Sequence, residues 1–392
     1  QSLTNDRTHL NMMMAVLSSL NNWPNVRAVV SCRKYDLEYD SVLNSLKDKS
    51  TVIEIGELAE EEVTIALNKL ENGLGKKIDR VTAKMLRTVQ MLDSFSLLFR
   101  RNKSKINFNN QIELYDALWD TVICDSSPRS DVEMREHLMY KIVETIQIAG
   151  TLNPQFTPDS SQKRAYEYLA SNGLIRRDGS AVSFFHQSFY EYALARHYSE
   201  TGSLFSSDLK KEIQGLEIRS TVKAVLDFKR GYDTAKFVDE ASSILEDPDI
   251  RLHLKLLTLS VLAFVNNPAR AEKVLVADVC QKDGRLLVYF LRGVNSPDWF
   301  QTIRKMLNGI IPELKKDDEQ FFPIISCLSR YVFDNPEAVY GMINQIQDRE
   351  SRLYAVAYVV REHNDYSQPC VLKAYAEAKP QNVFFTVHLL QD

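Results

Sequence analysis

Two residues stand where a side chain can meet a phosphate. Arg33 follows the apolar run Val26 to Ser31 (VRAVVS), which reads as a buried parallel strand. Open α/β sheets bind ligands at the carboxyl ends of such strands. A guanidinium there offers a rigid fork of donors to a terminal phosphate, or it makes a packing salt bridge, the reading that spacing by itself favours. His186 lies between a returning strand and the helix it feeds, among Phe184, Phe185 and Phe189. Its two ring nitrogens can link a phosphate to the backbone, although a helix-start histidine with a structural role is the commoner use of such a residue.

Other chemistries lack their residues. No G-x-x-x-x-G-K-[ST] occurs, and Gly73-Leu74-Gly75-Lys76-Lys77 has neither the spacing nor the hydroxyl of a phosphate cradle, so it reads as a helix stop with solvated lysines. The seven histidines form no H-E-x-x-H, and Glu362-His363-Asn364-Asp365 fits neither a zinc nor a calcium motif. No Ser, Asp or Cys partner is placed for a hydrolytic triad. The five cysteines, Cys32, Cys124, Cys280, Cys327 and Cys370, are scattered singly and odd in number, which suits reduced, packed thiols. Arg176-Arg177 offers cations for DNA phosphates, but the helix before it has only Lys163-Arg164 as a basic pair, beside Asp159 and Glu167. Nucleic acid binding is therefore disfavoured.

The elements that must position these residues follow from periodicity. Leu10, Met13, Met14, Leu17 and Leu20 mark a first helix, Pro24 ends it, and a second helix near Asp40 to Leu46 leads to a strand at Thr51 to Ile55. Two strands with both faces to cover are not a domain, so other sequence, a partner or the rest of the chain has to complete them. Helices follow from Glu60 to Leu70, where Gly73 and Gly75 mark the stop, then at 78–87, 88–99, 110–124 and 133–149, the last closed by Gly150. Between Pro158 and Arg196 the pattern is helix, strand, Asp178-Gly179 turn, strand, helix, the latter half of a winged-helix unit. Its floor is expected to be Leu174, Ile175, Val182, Phe184, Phe189 and Tyr192 or Ala193. Beyond Ser206, helices recur over 250–265, 268–280, 297–311, 321–333, 336–346 and 349–360. Prolines at 248, 268, 297, 336, 369 and 380 stand near proposed starts. Consecutive antiparallel pairs would stack into an irregular α-solenoid; Asn267-Pro268 and Asn335-Pro336 introduce helices alike, yet no repeat consensus fits.

The expected fold class is thus mainly α and multidomain. Residues 1–58 form an incomplete α/β unit, 59–104 a small helical domain, 105–203 a winged-helix domain and 204–392 the solenoid. With 48 basic and 52 acidic residues the formal charge is -4, giving no overall field towards nucleic acid. No segment approaches the roughly 20 apolar residues that span a bilayer. The segment from Gln1 to Leu10 has no signal core, so the expectation is no membrane partner and a cytoplasmic location.

Two stretches resemble a known family. Val29-Val30-Ser31-Cys32-Arg33, followed by Ile55-Gly56-Glu57-Leu58 and Glu61-Glu62-Val63, is similar to the sensor 1 strand end and following helical domain of STAND-class signal-transduction ATPases, bacterial NACHT-like proteins above all. Phe184-Phe185-His186-Gln187-Ser188-Phe189-Tyr190-Glu191-Tyr192 resembles their winged-helix motif F-x-H-x-S-F-x-E-[YF]. The resemblance covers roughly residues 1 to 200. It implies that Arg33 reads the terminal phosphate of a nucleotide and that His186 reaches the β-phosphate of ADP to hold a closed resting state. It also implies ATP/ADP and Mg as cofactors of a longer parent ATPase, a protein trigger at the solenoid, self-oligomerisation on activation and a role in antiviral defence. Gln1-Ser2-Leu3 resembles the sequence just after the family's Walker B strand, while the P-loop and Walker B residues are absent, so the chain is expected to be an inactive C-terminal portion. A non-enzymatic helical interaction scaffold is the alternative, and a winged-helix DNA regulator a weaker one.

Overall fold

Helical periodicity governs nearly the whole chain, and in the computed structural model it produces a mainly α-helical protein. Residues 7–20, 23, 25–32, 37, 41–125, 127–211, 214–216, 218–363 and 369 are described; Arg33, Cys370 and Pro380 lie outside them. Among the described residues the only sheet has two strands, and no helix is long and apolar enough to cross a membrane. The chain divides into two compact units, Gln1–His197 and Tyr198–Asp392.

The first unit opens with α1 (Arg7–Leu20), which buries Leu10, and the short α2 (Ser41–Asn44), which buries Leu43. Neither strand expected here forms: 26–31 and 51–55 carry no strand, and Val29, Ile53 and Ile55 are 96%, 82% and 90% exposed. An apolar run becomes a strand only when a neighbour pairs with its backbone, and no described segment does so.

Helices α3 (Glu60–Leu70), α4 (Leu74–Lys77), α5 (Arg80–Met85) and α6 (Val89–Phe99) follow. Glu62 accepts the Ala59 N–H at 2.8 Å, Gly73 ends the run at φ 80°, and Asp79 caps α5 by accepting the Thr82 N–H at 2.7 Å. On α6, Met91, Phe95, Leu98 and Phe99 are buried, with Phe108 edge-on to Phe95. Next come α7 (Gln111–Val122), capped by Asn110, and α8 (Arg129–Ala149), closed by left-handed Gly150. Helix α8 starts at Arg129, earlier than Glu133, because Pro128 supplies a ready N-terminus and Arg129 pairs with Glu133 at 2.8 Å.

Helix α9 (Lys163–Ser171), strands β1 (Ile175–Asp178) and β2 (Ala181–Phe184) and helix α10 (Gln187–Thr201) complete this part. Ile175 lies opposite Phe184 and Asp178 opposite Ala181, so the loop is Gly179-Ser180. Gly179 has φ 61°, as the first central residue of a II′ turn requires. The Val182 N–H donates to the Pro154 carbonyl at 3.0 Å and the Phe156 N–H to Ser180 at 2.9 Å, covering the free edge of β2. Every residue expected in the floor is buried: Leu174, Ile175, Val182, Phe184, Phe189, Tyr192 and Ala193.

The second unit contains α11 (Phe205–Leu209), α12 (Ile218–Tyr232), α13 (Thr234–Glu246), α14 (Leu252–Ala263), α15 (Arg270–Lys282), α16 (Gly284–Gly293), α17 (Phe300–Leu307), α18 (Phe321–Ser329), α19 (Pro336–Ile343) and α20 (Arg349–His363). Alternate helices pack into two rows: α12, α14, α16, α18 and α20 form one, and α11, α13, α15 and α17 the other, while α19 packs on α20. Hydrogen bonds stitch the rows at a recurring interval. Trp299 donates to the Val265 carbonyl 34 residues back, Tyr331 to Ser296 across 35, Lys282 to Glu246 across 36 and the Arg251 N–H to Gln214 across 37. Pro297 and Pro336 each stand in the first turn of a helix, as expected.

One joint is built from buried charge. The Lys229 ammonium donates to Glu240 at 2.7 Å with both side chains at most 2% exposed. The same carboxylate accepts the Phe205 and Ser206 N–H groups at 2.9 and 2.8 Å, and Lys229 also donates to the Ser203 carbonyl at 3.1 Å. Glu240 thus fixes the start of α11 while neutralising a lysine.

Candidate functional site

His186 follows β2, and its carbonyl accepts the N–H groups of Phe189 and Tyr190 at 3.2 Å, placing it at the cap of α10. The turn from strand into helix swings this side chain out of the floor. The other positions of the same stretch are held inward. Phe184, Phe189 and Tyr192 are buried together, with ring centroids of Phe189 and Tyr192 5.5 Å apart. Ser188 shares a 2.6 Å hydrogen bond with Tyr115, and Gln187 donates to Glu191 at 2.9 Å. Tyr192 donates to Asp116 at 2.6 Å, and the Arg196 guanidinium lies 4.8 Å from the centre of the Trp119 ring.

Burial pushes the Tyr115 phenol up to about 12 in spite of the Ser188 bond, so it acts as a neutral hydroxyl. Burial also raises Asp116 against the opposing pull of the Tyr192 and Arg196 bonds. These groups form a rigid polar and aromatic frame under α10.

The imidazole itself faces outwards. Its Nε2 is 3.0 Å from Asp93 Oδ2, its side chain is 25% exposed, and the Phe185 ring centroid lies 5.0 Å away. Asp93, on the exposed side of α6, is half-exposed and is the only ionisable residue of that helix (VQMLDSFSLLF). An imidazole fixed by its backbone, backed by an aromatic ring and facing an anionic oxygen is arranged to hold an anion.

Of the two residues singled out by position in the sequence, only His186 is described; Arg33 lies outside the described residues, so the pair is not brought together here. Asp93 was missed. Its one available signal is a lone carboxylate in an otherwise uncharged helix. On the β1–β2 hairpin, Arg177 donates to Glu167 at 2.7 Å and lies over Tyr166, so one of the two cations considered for DNA is turned back onto α9.

No protein-family model matches this chain, and no curated protein sequence is similar to it.

Proposed function

We propose that this chain is the C-terminal part of a nucleotide-switched signal-transduction ATPase of the STAND class. Residues 105–203 act as its winged-helix domain and the paired helical rows beyond as a solenoid that senses a protein trigger. The observation that carries the proposal is the position of His186. Within a stretch matching F-x-H-x-S-F-x-E-[YF], its side chain bonds across to Asp93 on α6, a carboxylate in the position an anionic ligand oxygen would take. Bound ADP supplies phosphate oxygens; His186 is the residue that would contact them, with Arg33 assigned to the terminal phosphate. The bare apolar runs 26–31 and 51–55 suit a sheet whose remaining strands, with the P-loop and the Mg-binding acid, come from a longer protein. Loss of the closed packing on trigger binding would permit ATP exchange and self-assembly, in antiviral defence as the resemblance implies. Such control requires unequal affinity for the two states.

The test is ADP affinity in the longer gene product, measured by calorimetry. His186→Ala should weaken ADP about tenfold, equal to about 1.4 kcal/mol. An unchanged affinity in a folded variant removes the phosphate contact. Failure of the unaltered longer protein to bind ADP favours the second reading, a non-enzymatic helical scaffold built on the paired helical rows.

A further inference from the structure

In the second unit the α13–α14 and α15–α16 connections lie side by side and enclose a cleft of about 520 Å³. Its floor is apolar, with Leu245, Ile250, Val279 and Leu286 buried, while Leu252 remains 43% exposed within it. Four cations line it, Arg251, Lys255, Lys282 and Arg285, against two acids, Glu246 and Asp283.

Both acids are already engaged. Glu246 accepts from Lys282 at 2.8 Å, and Asp283 accepts from Arg285 at 2.9 Å and caps α16 through the Arg285 N–H. These pairs hold two cation stems at the cleft wall and leave Arg251 and Lys255 uncompensated by any lining acid. The Arg251 guanidinium is positioned by the Gln214 carbonyl at 3.1 Å, a neutral acceptor. The Lys255 ammonium has no hydrogen-bond or ion-pair partner among the described residues; it only adds to the field that lowers Asp247, which Lys210 already pairs. The cleft wall therefore carries more positive charge than its own acids neutralise, which favours an anionic occupant.

We infer that this cleft is a docking site for a short acidic segment of a partner protein, in which carboxylates meet Arg251 and Lys255 and an apolar side chain rests on Leu252. Apolar floor and cationic wall favour such a segment over a bare inorganic anion, which would leave Leu252 in water. The volume suits a few side chains rather than a folded surface. The inference deepens the sensing role proposed for the paired rows and rests on it only in taking the occupant to be a protein.

The experiment is a fluorescence anisotropy titration of the full chain, without nucleotide, using a fluorescein-labelled Asp-Leu-Glu-Glu-Leu-Asp peptide. Saturable binding is expected, weakened at least tenfold by Lys255→Glu and several-fold by Lys255→Gln, the second variant serving if the first fails to fold. A peptide with Lys at every acidic position should not bind. No saturation up to millimolar peptide, or equal binding by a folded Lys255 variant, overturns the assignment. So does tight binding of inorganic pyrophosphate at the same cleft without peptide binding. Because ADP plays no part, failure here leaves the His186 proposal standing, and loss of ADP binding leaves this one standing.

Discussion

At Asp93 and His186 a carboxylate and an imidazole meet 3.0 Å apart with water on both, which separates their structural from their ligand-binding roles. An exposed pair of this kind contributes under about 1 kcal/mol, so Asp93→Asn should barely move the unfolding midpoint. If the carboxylate competes with a phosphate, the same change should raise ADP affinity in the longer protein several-fold; a fall would assign Asp93 to orienting the ring. Asp125 behaves differently. Partial burial raises it, but the Ser127 hydroxyl and N–H, the Arg135 guanidinium at 2.8 Å and the Tyr168 hydroxyl at 2.9 Å outweigh burial and hold it well below the usual carboxylate range. A depressed folded value stabilises above the unfolded pKa, near 3.9, and that stabilisation is lost as pH falls through the folded value. Wild type should therefore exceed Asp125→Asn in urea stability by a constant margin, about 3 kcal/mol, at pH 6, and the margin should shrink below about pH 4. A margin independent of pH would sink this account. His186 was legible because strand, turn and helix signals bracket it; its partner was not, since nothing local links residues 93 apart.

Among the elements, the joint at Glu240 tests whether a buried ion pair is replaceable. Glu240→Gln leaves the Lys229 charge buried and should cost about 3 kcal/mol, read through Trp299, the one tryptophan of the second unit. The double change Lys229→Met with Glu240→Leu removes both charges, yet it orphans the Phe205 and Ser206 N–H groups. It should still cost about 1–3 kcal/mol; wild-type stability in that double variant would mean α11 needs no cap. The hairpin was legible to within a residue or two, because Asp178-Gly179 marks a turn between two short strands and only glycine meets φ 61° cheaply. The runs at 26–31 and 51–55 look equally strand-like as sequence. They differ in that no described segment pairs with them, and composition cannot reveal a partner.

Across the whole molecule, those two runs mark where protection should be lowest. The described backbone bonds there are few, with the Val26 N–H donating to Trp23 at 3.1 Å, whereas 58–125 is mostly helical with a hydrogen-bonded backbone. Hydrogen exchange should label 27–32 and 51–57 within seconds in this chain and far more slowly once the proposed upstream strands are present; equal rates in both would argue against a shared sheet. The helical rows were legible as helices but not as a repeat. Asn267 and Asn335 do stand two intervals apart, but the joints are made by a tryptophan indole, a tyrosine hydroxyl, a glutamine amide and a lysine ammonium in turn. A consensus records residue types, and here only the spacing recurs.

The stride of 34 to 37 residues between these bonded partners bears on how such a chain can change length. Removing one full stride returns each surviving helix to a neighbour of the same row, whereas removing half of one swaps the rows and turns apolar faces to water. A deletion of one whole stride should therefore keep the second unit in phase, and a deletion of half a stride should not.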